Sequence, residues 1–155
     1  MKKLFAIILS AALILSLAAC GASQEPAAKS VDLNAIYEGY ADILPEMMVL
    51  DETTMLNFLG IQAEDCTQVV AAVCGNGLRT DEVWLIEAKD EEALARIAQL
   101  ADTRLISKED ETVSYSPDQY EIVKKAVIIT KDLYFAFLVS PEVETMQAEF
   151  EAAFN

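Results

Sequence analysis

The stretch Asp81-Glu82-Val83-Trp84-Leu85-Ile86-Glu87-Ala88 decides how the rest of the chain folds. Residues 83–86 are all apolar, whereas a strand with one solvated face alternates apolar and polar residues. We therefore predict a strand near the centre of a sheet. The valine-rich segment Cys66–Cys74 precedes it and also has the composition of a strand. Gly75-Asn76-Gly77 lies between the two, so a hairpin should join them through either a tight turn or a loop running to Thr80.

A second hairpin and five helices complete the predicted fold. Val127-Ile128-Ile129 and residues 133–139 form the hairpin, which turns at Lys131-Asp132. Apolar residues at helical spacing, with capping residues before them, predict helices over about 31–44, 51–60, 90–109, 116–126 and 140–154. This order favours a single α+β domain, with an antiparallel sheet of about four strands and helices on one face.

Five residues are predicted to begin these helices. Asp32, Asp51 and Asp90 each stand where a carboxylate can accept hydrogen bonds from the first free N–H groups. Ser116-Pro117-Asp118-Gln119 has the pattern of a capping box, and Ser140-Pro141 repeats the pairing of a serine cap with a proline in the first turn.

The start of the chain has the pattern of an export signal. Lys2 and Lys3 precede an apolar run, and Leu17-Ala18-Ala19-Cys20-Gly21 has the form of a lipobox. We predict a lipoprotein signal peptide over residues 1–19, a lipidated Cys20 with a flexible tether over 20–30, and one domain over 31–155. The protein would then be anchored on the extracytoplasmic side of the cell membrane. A single transmembrane helix and an ordinary secretory cleavage are the alternatives, but the apolar run is shorter than the roughly 20 residues that span a bilayer.

The charge of the chain restricts its partners. Twenty-six acidic residues stand against eleven basic ones, for a net charge of −15. Such a chain repels polyanions, so we predict no nucleic-acid binding. It should also be repelled by anionic headgroups, which leaves the lipid on Cys20 as the contact with the membrane.

Cys66 and Cys74 lie in the same predicted strand. An even separation places both thiols on one face, and eight residues of strand separate them by roughly 26 Å, far beyond the reach of a disulfide. We predict two free thiols that pack as small apolar residues. A disulfide would need the strand to fold back before Cys74, and no Cys-x-x-Cys spacing supports a reactive redox cysteine.

The sequence contains no histidine, which excludes the Ser-His-Asp and Cys-His nucleophile pairs and makes zinc improbable. Carboxylates remain as candidates for acid–base chemistry or calcium binding, namely Asp81-Glu82 and the group Glu87, Asp90 and Glu91. A solvated acidic surface is the simpler interpretation, with Lys89 as a surface ion-pair partner and not a Schiff-base lysine. Trp84 is expected in the core, although it could stack on a ligand.

Three further segments carry a resemblance to a known family. They are Leu44-Pro45-Glu46-Met47 before Asp51-Glu52, residues 81–86 before Lys89-Asp90-Glu91, and Tyr120-Glu121-Ile122-Val123 before Ala126-Val127-Ile128-Ile129-Thr130-Lys131. In order and spacing they resemble exported bacterial proteins that carry domain of unknown function 4358, over residues 36–154. Lys131-Asp132 departs from that pattern, in which a glycine is expected at the hairpin tip. The resemblance implies a fold and a location, and it brings no catalytic or binding residues.

Two functions of different class follow. We expect a non-catalytic binding module without a cofactor, whose partner is an unknown envelope protein or ligand. The alternative is an envelope hydrolase that uses carboxylates. A single short domain with no histidine and no catalytic motif favours the binding module.

Overall fold

The computed structural model describes residues 30–155. Five strands form one antiparallel sheet in the order β1-β2-β3-β5-β4, and five α-helices pack on it. In chain order the elements are α1 (Leu33–Gly39), β1 (Met47–Val49), α2 (Glu52–Leu59), β2 (Cys66–Cys74), β3 (Glu82–Ala88), α3 (Glu91–Val113), α4 (Pro117–Val123), β4 (Val127–Lys131), β5 (Tyr134–Val139) and α5 (Val143–Ala152). The predicted single-domain α+β class and both predicted hairpins are confirmed.

The central strand β3 is buried on both of its faces. Val83 and Leu85 point into one apolar cluster, and Trp84 and Ile86 point into another. All four side chains are fully buried. The continuous apolar run in the sequence is therefore a central strand that is buried on both faces, as its composition predicted.

Helices cover both faces of the sheet, so the prediction of helices on one face is wrong. Leu59 of α2, Ile97 of α3 and Val123 of α4 pack in the cluster around Trp84. Leu33 of α1 and Phe150 of α5 pack in the cluster around Leu85. A strand that is apolar on both faces needs a cover on each side, and one helical layer leaves half of it in water.

The sheet has one more strand than predicted. β1 contains only Met47, Met48 and Val49, and it pairs with the end of β2 in the register Met47↔Cys74. Three residues are too few to show the alternation that identifies a strand in sequence. The strand forms because β2 is long enough to offer it a free edge.

The three aspartate caps are confirmed. Asp32 accepts from two backbone N–H groups of α1, while Asp51 and Asp90 accept from Thr54 and Ala93 at 2.7 Å. Carboxylates at these positions satisfy N–H groups that have no partner within the helix. The predicted end of the second helix at residue 60 is also confirmed, since Gly60 follows Leu59 with a left-handed φ of 77° that stops the helix.

One serine cap is confirmed in position and the other is wrong. Ser116 is the N-cap residue of α4, with Pro117 as the first helical residue, but its side chain makes no capping hydrogen bond. The predicted capping box is not formed, because Gln119 accepts hydrogen bonds from Thr80 instead. Ser140 does not cap α5, which begins at Val143; its Oγ accepts from the Glu142 N–H in the turn before the helix.

One turn and one helix end depart from expectation in smaller ways. Asp132, at the tip of the β4–β5 hairpin, takes a φ of 53°, in the left-handed region where a glycine is usual. Aspartate tolerates that region better than most residues, so the hairpin closes without the glycine. Helix α3 also continues to Val113, beyond its predicted end near residue 109.

The two cysteines lie on opposite faces of the sheet, so the prediction of a shared face is wrong. The register of β2 against β3 shifts between Cys66 and Gln68, which marks a β-bulge. An extra residue reverses the side to which the chain points, so Cys66 packs against the cluster that contains Ala88. Burial raises the pKa of the Cys66 thiol to about 11. Neither thiol forms a disulfide within the described part of the chain.

Within residues 30–155, no helix combines the length and the apolar character needed to cross a bilayer.

Candidate functional site

Glu82, the first residue of β3, is fully buried although it carries a carboxylate. Arg104 of α3 donates to both of its oxygens, with its closest contact at 2.9 Å. One turn later, the Lys108 Nζ lies 2.8 Å from Oε2, and the indole N–H of Trp84 donates to Oε1 at 2.8 Å. A buried charge is tolerated when it is paired and hydrogen-bonded. These four residues, the Glu82 cluster, tie α3 to the start of the central strand.

The loop before β3 extends this network to α4. Lys108 Nζ also donates to the Thr80 carbonyl at 2.9 Å. The N–H and the hydroxyl of Thr80 donate to Gln119 Oε1 at 3.0 and 3.1 Å. Arg79 donates two hydrogen bonds to Asp81, at 2.8 and 3.1 Å. The loop is thus held by both helices, which gives the neighbouring surface a fixed shape.

A cleft of about 600 Å³ lies beside this network, between the β2–β3 loop and the ends of α3 and α4. Its rim is apolar, with Phe58, Leu78 and Tyr115 on it. Leu78 is 84% exposed and Tyr115 is 89% exposed. The Arg104 guanidinium lies 4.7 Å from the centre of the Phe58 ring, in cation–π geometry. Polar groups inside and apolar side chains at the mouth are suited to an amphipathic ligand.

The cleft also differs from the rest of the surface in charge. Residues 30–155 contain eight basic side chains against twenty-five acidic ones. Three of the eight, Arg79, Arg104 and Lys108, line the cleft, where three carboxylates balance them. The cleft is therefore close to neutral on a strongly acidic domain, and a ligand that the acidic surface repels meets least repulsion there.

Asp81 and Glu82, the first carboxylate pair proposed from the sequence, both line the cleft. All four of their oxygens accept hydrogen bonds from arginine, lysine or tryptophan side chains. A general base needs an oxygen that can reach the proton of a bound substrate. The geometry assigns both residues to the wall of the cleft.

The second carboxylate group does not come together as a site. Glu87 accepts a hydrogen bond from a glutamine of β2 at 2.7 Å, Asp90 caps α3, and Glu91 is exposed in its first turn. Lys89 forms an ion pair with Asp65 at 3.0 Å, and this contact raises the lysine pKa. A Schiff-base lysine needs the opposite shift. Among the described residues, no cluster of three or more His, Cys, Asp or Glu side chains has an arrangement that could hold a metal ion.

Trp84 is a core residue, as the sequence predicted. Its ring is fully buried and packs edge to face on Phe137, with ring centroids 5.1 Å apart. It does not stand at the cleft mouth, so stacking on a ligand is excluded by its position.

The cationic wall of the cleft and its rim were not predicted from the sequence. Arg104, Lys108 and Thr112 continue the buried face of α3 beyond Ala101, at helical spacing. The sequence did contain a signal for the Glu82 cluster. Polar residues occupy core positions of α3, and an acidic residue begins the central strand. Nothing local marked Tyr115, because a single exposed aromatic residue has no sequence pattern.

Comparison with known families identifies the domain. The profile of the family described as Domain of unknown function (DUF4358) matches residues 40–140. The chain belongs to this family. The DUF4358 match includes the whole sheet, the Glu82 cluster and the cleft, and it leaves out α1 and α5, the two helices on the other face.

Searches of curated proteins and of solved structures give no significant match. Cys20 lies outside the described residues, so its lipidation stays a prediction.

The substitution Glu82→Gln tests the Glu82 cluster. It keeps the side-chain shape but leaves Arg104 and Lys108 without their counter-charge, and we expect the free energy of unfolding to fall by about 3 kcal/mol. The measurement is urea denaturation followed by tryptophan fluorescence.

Glu121→Gln is the matched control, because Glu121 pairs with Lys124 at 3.1 Å on the exposed surface. The control should change stability by about 0.5 kcal/mol or less. Equal losses in the two variants would contradict the assigned role.

Proposed function

We propose that the protein is a non-catalytic binding module, held by a lipid on Cys20 on the extracytoplasmic side of the cell membrane. The lipobox at residues 17–21 supports the anchor, and the cleft supports the binding role. The ligand is an envelope protein or an envelope molecule that inserts an amphipathic group between α3, α4 and the β2–β3 loop.

The observation that carries the binding role is the exposure of Leu78 and Tyr115 at the mouth of the cleft. Large apolar side chains gain roughly 25 cal/mol for each Å² that a ligand removes from water. The size of the cleft, about 600 Å³, fits the range of known ligand pockets. Its walls are fixed by the hydrogen bonds of Thr80 and Asp81, so binding would order few side chains and cost little entropy.

The bonding of the carboxylates supports a non-catalytic role over the hydrolase alternative. Asp81 and Glu82 are held by three basic side chains, and a change that freed either of them would break a partly buried ion pair. Removing one partner of such a pair is costly. Their arrangement stabilises the cleft wall without leaving an oxygen for proton transfer.

Mass spectrometry of the mature N-terminus tests the anchor. We expect the purified protein to begin at Cys20 and to carry a diacylglyceryl group on the sulfur, because the lipobox directs modification and then cleavage before that residue. Two acyl chains are enough for stable membrane attachment, whereas one gives only marginal binding. A Cys20→Ser variant should carry no lipid. An unmodified Cys20 or a retained Met1 in the wild-type protein would contradict the anchor.

Site-specific photo-crosslinking in intact cells tests the binding role. A photoreactive amino acid at Leu78 should give a discrete adduct, because this position lies at the mouth of the cleft and is almost fully exposed. Mass spectrometry of the adduct identifies the ligand. The matched control is the same amino acid at Ile106, which is also exposed but does not line the cleft.

Tyr115→Asp should weaken the adduct at position 78, because it places a carboxylate among the apolar rim residues. Its side chain is 89% exposed, so the fold should not be affected. Adducts of equal yield at positions 78 and 106, or an adduct that Tyr115→Asp leaves unchanged, would refute the cleft as the binding site.

A further inference from the structure

Strand β1 presents an unused set of backbone hydrogen-bonding groups. The Leu50 N–H donates to the Ala71 carbonyl, and Glu46 accepts from the Gly75 N–H. In an antiparallel pair these contacts alternate along the strand, so Met48 also faces β2. The N–H and C=O groups of Met47 and Val49 therefore point away from the sheet. Within residues 30–155, β1 pairs with β2 alone.

The side chains of this edge are apolar and exposed. Met48 is 52% exposed and Val49 is 55% exposed, and they point to opposite faces of the sheet. Among the features that commonly protect an edge strand from pairing, β1 has only its short length of three residues; no charged residue, proline or bulge lies within Met47–Val49. The edge combines free backbone groups with an apolar residue on each face, which is what strand addition requires.

The segment of chain that contains this edge is acidic. Residues 30–78 contain eight acidic side chains and neither lysine nor arginine. Glu46 precedes β1, and Asp51 and Glu52 follow it, all of them exposed. A strand that pairs with β1 would bring its own side chains near these carboxylates. Cross-strand neighbours of opposite charge are favourable, whereas like charges are unfavourable.

We infer that the free edge of β1 accepts an extended segment of another protein, in which basic residues alternate with apolar ones. The backbone of the segment pairs with Met47 and Val49, and its basic side chains meet the flanking carboxylates. A second copy of this chain is the less favoured occupant, because each copy carries a net charge of −15. This site is separate from the cleft, so it does not depend on the proposed function.

The first test uses the full chain in a neutral detergent, with a synthetic peptide of alternating lysine and valine as the probe. Hydrogen exchange measured by NMR should show that the Met47 and Val49 amides become protected when the peptide is added, because they gain acceptors. A peptide of alternating glutamate and valine is the matched probe and should give no protection. Protection by both peptides, or by neither, would overturn the inference.

The second test removes one outward donor. Val49→Pro deletes the Val49 N–H without touching a bond to β2, and proline is tolerated at edge positions whose N–H faces solvent. Losing that hydrogen bond should weaken binding of the lysine–valine peptide by about fivefold. Val49→Ala keeps the N–H and should retain most of the affinity. Equal affinity of Val49→Pro and the wild type would overturn the inference.

The opposite edge supplies a matched control. Thr130 of β4 is also an outward-facing residue, because the β3–β5 and β4–β5 registers direct Val127, Ile129 and Lys131 toward β5. Thr130→Pro should leave peptide binding unchanged. If it weakens binding as much as Val49→Pro does, general loss of the sheet explains both effects, and the inference is overturned. Should Val49→Pro not fold, the exchange measurement on the wild type still decides.

Sedimentation of the full chain over a range of concentrations distinguishes the remaining occupant. A monomer at all concentrations supports a segment of another protein. Self-association that both Val49→Pro and Thr130→Pro abolish would overturn the inference in favour of β1 pairing with β4 of a second copy.

Discussion

Burial of β3 on both faces is the constraint on which the rest of the structure depends. Its four central residues are apolar and fully buried, so neither face of this strand can meet water. One helical layer contains α2, α3 and α4, and the other contains α1 and α5. Strand β5, which pairs with β3, has the same character, and its residues from Phe135 to Val139 are buried. The two strands together form the middle of a three-layer domain.

Glu82 is the fully buried charged residue of this largely apolar strand, and it connects the core to the surface. A carboxylate at that depth needs nearby cations, which come from Arg104 and Lys108. Those residues lie on the last turns of α3 that face the sheet, beyond the apolar part of the helix. The same side chains then form one wall of the cleft. The position of the cleft is therefore a consequence of how one buried charge is neutralised.

Much of the fold was predictable because local physical chemistry determines it. The aspartate caps, the stop at Gly60 and the strands β2 and β3 each depend on residues that are neighbours in sequence. Features set by distant contacts were not predictable in the same way. Gln119 had a local capping role available but is engaged by Thr80, 39 residues away. The second helical layer, in contrast, is a consequence of the apolar run in β3, because a strand that is apolar on both faces needs a cover on each side.

In the candidate site, too, features set by neighbouring residues were predictable and features set by distant contacts were not. Asp81 and Glu82 were visible in the sequence, but their ion pairs with α3 and the preceding loop were not, and those pairs change what the carboxylates can do. The cleft rim was invisible, since Leu78 and Tyr115 come together only after the loop and α3 pack. Membership of the DUF4358 family extends the fold to other proteins but assigns no chemistry to these residues.

Native-state hydrogen exchange of the backbone amides tests the central role of β3 most directly. If β3 is enclosed by both helical layers, the amides of Trp84 and Leu85 should exchange only through global unfolding, with a free energy equal to that from urea denaturation. The Met48 amide, in the edge strand β1, should exchange faster through local opening. Exchange of the Leu85 amide as fast as that of Met48 would contradict the central role of β3.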